Sequence, residues 1–240
     1  MGYQLEKFEN GLKELHIDLS REQMGQFLTY YEMLVEKNKV MNLTAITEFE
    51  EVVEKHFLDS LSLIDQVDLT QQLKVLDLGT GAGFPGIPLK IAFPALNIVL
   101  MDSLNKRVKF LEEVITELKL EKITAVHGRA EEMAKKPEYR EQFDLCVSRA
   151  VANLASLSEY CIPFVKTGGS FIPYKSGQIE EEVETAKHAV YVLGGKMKAV
   201  KKFRLVGTEA ERSFVLIEKV KKTPKTYPRK AGTPSKNPIQ

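Results

Sequence analysis

Apolar residues in the first part of the chain recur at spacings of three and four, the periodicity of helices with one buried face. Two such stripes comprise Leu5, Phe8, Leu12 and Leu15, then Phe27, Leu28, Tyr31, Leu34 and Val35. Ser20 followed by Gln23 resembles a capping box at the start of the second helix. A third helix is predicted from Glu48 to Gln66, after a loop at residues 42–46. The pattern therefore predicts an N-terminal helical extension over residues 1–70.

Beyond residue 70, short apolar runs alternate with helical patterns. The runs predicted as strands are LKVLDL at 73–78, NIVLMD at 97–102, KITAVHG at 122–128, FDLCVS at 143–148 and GSFIPYK at 169–175. Helices are predicted at 85–92, at 106–120, through Tyr160 and at 178–193, and the third of these is expected to end at Pro163 and Gly168-Gly169. Strands that alternate with helices are typical of parallel sheets with right-handed crossovers. The fold class is therefore α/β with a Rossmann-like core.

Two late strands are predicted at 198–205 and 212–220, and the short turn between them favours an antiparallel pair at one edge of the sheet. The Rossmann-like core is thus expected over residues 71–220. The final segment, 221–240, contains Pro224, Pro228, Pro234 and Pro238, so it is expected to be extended or disordered, either packed on the core or flexible.

Composition and charge exclude several classes of protein. The apolar fraction of 43% is ordinary for a globular domain, and no apolar run approaches the length of a membrane span. Cys146 and Cys161 lie in apolar surroundings without metal-binding spacing, so they are interpreted as core residues. The N-terminus is too polar for a signal peptide. A cytoplasmic protein with neither a metal nor a membrane partner is expected.

The net charge of +1 hides a basic C-terminus. After Glu218 the chain has no acid but contains Lys219, Lys221, Lys222, Lys225, Arg229, Lys230 and Lys236. Such a segment is either a solvated tail or a contact for a phosphate-bearing partner.

The chemistry-bearing motif is a glycine loop, Asp77-Leu78-Gly79-Thr80-Gly81-Ala82-Gly83-Phe84-Pro85-Gly86, between a strand and a helix. Its last three glycines match the GxGxxG of dinucleotide-binding folds, which is weak evidence alone. Asp77 argues against a dinucleotide because a carboxylate would repel a pyrophosphate. The same carboxylate suits the ammonium group of S-adenosylmethionine. A tight turn without a ligand is the alternative.

Two further acids follow strands of the predicted sheet. Asp102 lies about twenty residues after the loop, where a ribose-binding acid is typical, although Asp102 and Ser103 could instead cap a helix. Ala130 and Glu131 follow the third strand, where the Ala130 N–H or the Glu131 carboxylate could meet an adenine. Glu131 could equally decorate a helix N-terminus.

Ser148-Arg149-Ala150 follows the fourth strand, next to the expected reaction centre. Arg149 could grip a carboxylate or phosphate there, or form a surface ion pair. The Asn/Asp-Pro-Pro-aromatic element of many amine methylating enzymes does not occur here, nor does the Pro-Cys pair that pyrimidine C5 methylation needs.

These stretches resemble the glucose-inhibited division protein B family, bacterial methyltransferases that modify guanine N7 in small-subunit (16S) ribosomal RNA. The matching segments are NLTAI at 42–46, HFLDSL at 56–61, DLGTGAGFPGIPL at 77–89, MDSLNKRVKFL at 101–111, GRAEE at 128–132, FDLCVSRAVANL at 143–154, the GG and YK around 168–175, and YPRKAGTPSKNP at 227–238. The resemblance spans nearly the whole chain. It implies S-adenosylmethionine as cofactor and the small ribosomal subunit as partner.

The resemblance also implies which residues touch the cofactor. In this sequence they are Gly79, Gly81, Phe84, Asp102, Ser103, Ala130, Glu131 and Arg149, beside Asp77 from the loop. Guanine N7 has a free lone pair and no proton, so no acid or base is required. Catalysis is expected from proximity and alignment, with Arg149 as the one candidate catalytic side chain.

Lys175, Arg229 and Lys230 are candidates for contacts with RNA phosphates. Asn42, His56 and Asp59 are possible residues on the substrate side. A monomer is expected. Two other functions stay open from the residues alone: a methyltransferase of a protein or small molecule, and a ribosome- or RNA-binding module without catalysis.

Overall fold

The computed structural model of the protein describes residues 3–149 and 151–240. Within them, seven strands form one sheet in the order β3-β2-β1-β4-β5-β7-β6. The strands are β1 Lys74–Leu78, β2 Asn97–Asp102, β3 Ile123–His127, β4 Phe143–Arg149, β5 Val165–Ser176, β6 Gly195–Arg204 and β7 Glu211–Lys219. The first five pair in parallel, while β7 runs antiparallel to both β5 and β6. The predicted α/β class and the antiparallel edge pair are confirmed.

Helices cover both faces of this sheet. They are α1 Glu6–Glu14, α2 Arg21–Met41, α3 Phe49–Val52, α4 Asp59–Leu61, α5 Gly86–Ala92, α6 Asn105–Glu117, α7 Ala130–Met133, α8 Leu154–Cys161, α9 Glu180–Val192 and α10 Thr233–Lys236. A π-helical turn, Val53–Leu58, joins α3 to α4, and 3₁₀ turns follow α4 at Ser62–Asp65 and α8 at Ile162–Phe164.

The first two N-terminal helices pack as their apolar spacing predicts, whereas the third helix predicted from Glu48 to Gln66 is a succession of α3, the π-helical turn, α4 and a 3₁₀ turn. Ser20 and Gln23 form the capping box, because each side chain accepts from the other residue's backbone N–H. Phe8, Phe27 and Phe57 meet in one aromatic cluster, with ring centroids 5.0 Å apart for Phe8–Phe27. This cluster is continuous with the buried residues of α5 and α6, so the extension forms one face of the core. The opposite face is covered by α8 and α9.

Strand β5 begins earlier than the sequence pattern predicts. Gly168 and Gly169 were expected to end a helix, but the helix ends at Cys161 and both glycines lie inside β5. A Cβ atom on Gly169 would lie 2.6 Å from the Asp144 carbonyl oxygen. Glycine therefore permits close approach of β5 to the start of β4 rather than a helix stop.

The C-terminal segment 221–240 is packed on the core and contains the short helix α10. Pro228 and Pro234 are buried, and the Arg140 guanidinium donates to the carbonyl oxygens of Thr223 and Tyr227 at 2.9 and 3.0 Å. Of the two expectations for this segment, packing on the core is the one that the contacts support. Among residues 3–149 and 151–240, every helix falls short of the length and apolarity that a membrane crossing needs.

Candidate functional site

The strand order places the glycine loop at a point where the sheet topology reverses. Strand β1 lies between β2 and β4, and all three run parallel, so their carboxyl ends meet at one edge. The Gly79 N–H donates to the Met101 carbonyl oxygen at 2.8 Å, which ties the loop to the end of β2. Such switch points are where open α/β sheets bind ligands.

A first cavity of about 300 Å³ opens at this edge. Five of the sequence-predicted cofactor residues line it: Gly79, Asp102, Ser103, Ala130 and Glu131. They come from the ends of three neighbouring strands, β1, β2 and β3, which a nucleoside-binding pocket in this fold requires. The walls are mixed, with Leu78 and Met101 supplying apolar surface between the polar groups.

Asp102 is one of two buried acids that line the first cavity, with only 3% of its surface exposed. One carboxylate oxygen accepts from the Gly81 N–H at 3.0 Å and lies 3.3 Å from the Arg107 guanidinium. The other accepts from the Leu104 N–H at 2.9 Å. Two backbone donors and one cation thus fix the position of the Asp102 carboxylate at the cavity, where it can accept from ribose hydroxyl groups.

Glu131 reaches the same cavity from α7 and is held by the C-terminal segment. Its Oε1 accepts from the Gly232 N–H at 2.9 Å, and its residue is 7% exposed. Gly232 and Ser235 themselves line the first cavity, together with Val151 and Tyr160. None of these four was predicted from the sequence to contact the cofactor, because the family-matching segments at 143–154 and 227–238 do not show which of their residues reach the glycine loop, and Tyr160 lies outside them.

Asp77 lies beneath the loop rather than on the cavity wall. It is fully buried, and its Oδ2 accepts from the Thr80 hydroxyl at 2.6 Å and from the Gly86 N–H at 2.8 Å. Its Oδ1 has no hydrogen-bond partner among the described residues. Burial raises the pKa of Asp77 to about 6, although both hydrogen bonds act in the opposite direction.

A second cavity of about 390 Å³ lies between the N-terminal extension and the ends of β4 and β5. Its charged lining is mainly cationic, with Lys55, Arg149, Lys175 and Arg212 against the single acid Asp59 among the residues that line it. The cavity is therefore suited to an electron-rich or anionic ligand.

Asp59 joins the two arginines of the second cavity. It is 3% exposed, and its two oxygens lie 2.8 Å from Arg149 Nη1 and 3.2 Å from Arg212 Nε. Arg149 also donates to the Lys55 carbonyl oxygen at 3.1 Å. The π-helical turn brings Lys55 and His56 to this point, and such turns are frequent at functional sites.

His56 is a neutral imidazole at the rim of this network. Burial lowers its pKa to about 4, and the positive charge of Arg149 acts in the same direction. Its Nε2 lies 2.8 Å from Thr44 Oγ1, and its ring lies 4.6 Å from that of Phe84. The Arg149 guanidinium lies 5.0 Å from the Phe84 ring centroid, so Phe84 packs against both.

The structure therefore separates the predicted site residues into groups. The first cavity is lined by Gly79, Asp102, Ser103, Ala130 and Glu131. The second cavity is lined by His56, Asp59, Arg149 and Lys175. Within or under the loop, and outside both linings, lie Asp77, Gly81 and Phe84. Arg149 and Val151 lie two positions apart on opposite cavities. The end of β4 thus brings the two cavities next to each other.

The RNA-contact candidates are also sorted by their surroundings. Arg229 is already paired with the buried carboxylate of Glu159, at 2.7 Å from Nη2 to Oε2. The Lys175 ammonium donates to the Ala152 carbonyl oxygen at 2.8 Å and pairs with Glu182, and its side chain is 12% exposed. Lys230 is exposed. Asn42 caps α2 in a left-handed conformation, outside the lining of either cavity.

Comparison with known proteins gives a consistent result. The model of the GidB family, described as rRNA small subunit methyltransferase G, matches residues 23–215. A "Ribosomal RNA small subunit methyltransferase G" of Lachnoclostridium phytofermentans is 58% identical over 97% of this chain and 96% of its own length. The protein of the same name from Bacillus cereus is 49% identical over 98% of this chain and 99% of its own length.

Solved structures with low sequence identity share the fold. M. jannaschii TYW2, crystallised in complex with AdoMet, superposes with a TM-score of 0.51 at 15% identity, over 66% of this chain and 76% of that one. A crystallised mutant of MtNAS reaches a TM-score of 0.55 at 14% identity, over 90% of this chain and 86% of its own. These likenesses confirm the Rossmann-like architecture.

Proposed function

The chain belongs to the GidB family, the rRNA small subunit methyltransferases G, and on that premise we propose that it methylates N7 of one guanine in 16S ribosomal RNA. The observation that carries the proposal is the pair of adjacent cavities at the ends of β1 and β4. One presents a buried acid suited to a ribose, and the other presents two arginines beside a neutral histidine.

The first cavity suits the nucleoside part of S-adenosylmethionine. Asp102 can accept from the ribose hydroxyls, since backbone N–H groups already hold its carboxylate in place. The Ala130 N–H and the Glu131 carboxylate, at the end of β3, can meet the edge of the adenine. When bound, the cofactor supplies a methyl carbon made electrophilic by its sulfonium.

The methionine part has a candidate partner in the loop. Asp77 is buried under the loop and keeps one oxygen without a hydrogen bond among the described residues, so its charge can attract an ammonium group bound at the loop without direct contact. The ammonium would also lower the pKa of this carboxyl from about 6, which favours the charged form at neutral pH.

The second cavity suits the guanine. Arg149 and Arg212 can donate hydrogen bonds to the base's O6 and to flanking phosphates, while Asp59 keeps both guanidinium groups in fixed positions. A-form RNA hides N7 in its deep major groove, so the target base must be unstacked to enter. Lys230 is exposed and remains the tail's candidate for a phosphate contact.

The residues of the second cavity favour N7 over an exocyclic amine. Attack by N7 requires no proton removal. Neither Asp59 nor His56 is a suitable base for proton removal, because Asp59 is held by two arginines and the pKa of His56 is about 4. Proximity and alignment are therefore the contribution of the protein. Since one chain lines both cavities, we infer that a monomer is active, and its ribosomal substrate implies a cytoplasmic enzyme.

The test is methyl transfer from labelled S-adenosylmethionine to small ribosomal subunits that lack the modification, followed by nucleoside analysis. Label recovered as 7-methylguanosine is the expected result. Label in another nucleoside would refute the N7 assignment. Unlabelled RNA together with normal cofactor binding would assign the activity to a protein or small molecule instead.

A further inference from the structure

The C-terminal segment crosses α8 and reaches the first cavity, although it lies far along the sequence from the other groups that line it. Two hydrogen bonds secure its first part: Thr223 N–H donates to Glu141 Oε1 at 2.8 Å, and the Lys219 ammonium donates to Thr223 Oγ1 at 2.7 Å. The segment is thereby directed towards the end of β3, where the nucleoside edge of the cavity lies.

An ion pair fixes the second part of this segment to α8. Glu159 is completely buried, and Arg229 covers it with three donors: its backbone N–H at 2.7 Å, Nε at 3.0 Å and Nη2 at 2.7 Å. Arg229 Nη2 also donates to the Asn237 carbonyl oxygen at 2.8 Å. This guanidinium therefore links Glu159 to Asn237 and fixes both ends of residues 229–237, the C-terminal turn.

Two further contacts place the turn against the cavity. The Ser156 hydroxyl donates to the Pro234 carbonyl oxygen at 2.7 Å, and the Gly232 N–H donates to Glu131 Oε1 at 2.9 Å. Gly232 and Ser235 then form part of the wall beside Glu131. The polar contact to Glu131 uses one carboxylate oxygen and leaves Oε2 for a ligand.

We propose that residues 229–235 are a built part of the nucleoside subsite, and that Arg229 is a positioning residue for cofactor binding rather than an RNA contact. The turn supplies part of the cavity wall and donates a hydrogen bond to Glu131, so the bound nucleoside meets a preformed wall. The proposal rests on the proposed function in one respect, the identity of the ligand as S-adenosylmethionine.

Arg229→Ala tests the connection directly. The substitution leaves the Glu159 carboxylate buried without a cation, so the turn is expected to detach and let water reach it. Titration calorimetry with S-adenosylmethionine, without RNA, should show a Kd raised about tenfold or more, which corresponds to about 1.4 kcal/mol. Lys225→Ala is the matched control, because Lys225 is an exposed cation of the same segment. The Kd of the Lys225→Ala variant for S-adenosylmethionine should equal that of the wild type.

A double variant separates detachment of the turn from damage to the fold. Arg229→Ala with Glu159→Gln removes the unpaired buried charge, so its melting temperature should recover relative to Arg229→Ala. Its cofactor affinity should stay low because the guanidinium that holds the turn is still missing. Recovery of wild-type affinity along with stability would show that Arg229 only compensates Glu159, and the proposal would fail.

A third pair probes the wall without touching the ion pair. Ser235→Gln lengthens a side chain that lines the cavity, whereas Lys236→Gln changes the next residue, which lies outside the lining. Only Ser235→Gln should weaken cofactor binding. Equal affinities for both variants would place the nucleoside away from the turn.

Failure of the wild type to bind S-adenosylmethionine would refute the cofactor itself, whereas normal binding without RNA methylation would refute only the substrate.

Discussion

Replacing Gly81 by alanine adds one methyl group to the glycine loop at a point that the protein leaves open. Gly81 has φ +64°, and a Cβ atom built there meets no other atom within 4 Å. Gly168 offers a matched control, since it has φ +87° and equally open surroundings but lies in β5, on the far side of β4 from the loop. The two variants therefore share backbone strain and differ in distance from the first cavity.

The strain sets the expected effect on stability. A left-handed backbone costs an L-residue about 1–2 kcal/mol, and alanine recovers about 0.4–1 kcal/mol by restricting the unfolded chain. The net destabilisation is therefore about 1 kcal/mol at either position, which lowers the melting temperature by about 2–4 °C in a protein of this size. Thermal unfolding without ligand should show similar shifts for Gly81→Ala and Gly168→Ala.

Cofactor affinity should distinguish the two variants. Gly81 donates its N–H to Asp102, which lines the first cavity, so the open space beside Gly81 lies where the ligand is expected to approach. An added methyl group there should weaken S-adenosylmethionine binding about tenfold, or about 1.4 kcal/mol, in calorimetric titration. Gly168→Ala should bind normally. Unchanged cofactor affinity in Gly81→Ala would reject the placement of the ligand. An equal loss of cofactor affinity in Gly81→Ala and Gly168→Ala would show that backbone strain causes the effect.

Four further outcomes follow from individual groups. The folded-state pKa of Asp77, about 6, exceeds its ordinary 3.8, so its contribution to stability is complete below pH 4 and lost as the pH rises to 6. Asp77→Asn should therefore flatten the pH dependence of the melting temperature in that window and weaken cofactor binding; unchanged affinity would argue against an attraction between Asp77 and the ammonium group. Tyr30→Phe removes the hydroxyl that donates to the Ala82 carbonyl oxygen at 2.7 Å, and should cost about 1–3 kcal/mol in urea unfolding. Because the pKa of His56 is about 4, the methyl-transfer rate should be constant from about pH 7 to 8.5, and a step in that range would reveal an acid or base. Lys230→Ala should weaken RNA binding and lower its salt dependence by about one charge, an effect that filter binding at several salt concentrations would show or exclude.

Much of the fold could be predicted from the sequence, because helix periodicity, capping residues and turn glycines depend only on residues close together in the chain. The spacing of Phe8 and Leu12 reports a helix with one buried face, and the capping box at Ser20 reports where a helix begins. The strand, glycine and helix order around Gly81 likewise predicts the ligand edge, since parallel strands put their carboxyl ends together. Five of the predicted cofactor residues accordingly line one cavity.

Boundaries were less predictable where packing overrides local preference. The pair Gly168-Gly169 is typical of a helix stop, yet both residues lie inside β5. Gly169 is needed there because the backbone of β5 comes close to that of Asp144 in β4. The π-helical turn at Val53–Leu58 has no sequence signature of its own. It is nevertheless the element that presents His56 and Lys55 to Arg149.

The sequence by itself determined the class of fold, the edge of the sheet at which the first cavity lies and the resemblance to a methyltransferase family. Only the tertiary structure decided which charged groups meet. Asp59 and Arg212 are 153 positions apart, and Arg229 and Glu159 are 70 apart. A buried carboxylate is stabilised by a cation or by hydrogen-bond donors at short distance, but nothing in the local pattern specifies which groups these are. In the folded chain Arg229 pairs with Glu159, because burial of the Glu159 carboxylate is favourable only with the Arg229 guanidinium in place. This pairing brings the C-terminal turn to the first cavity.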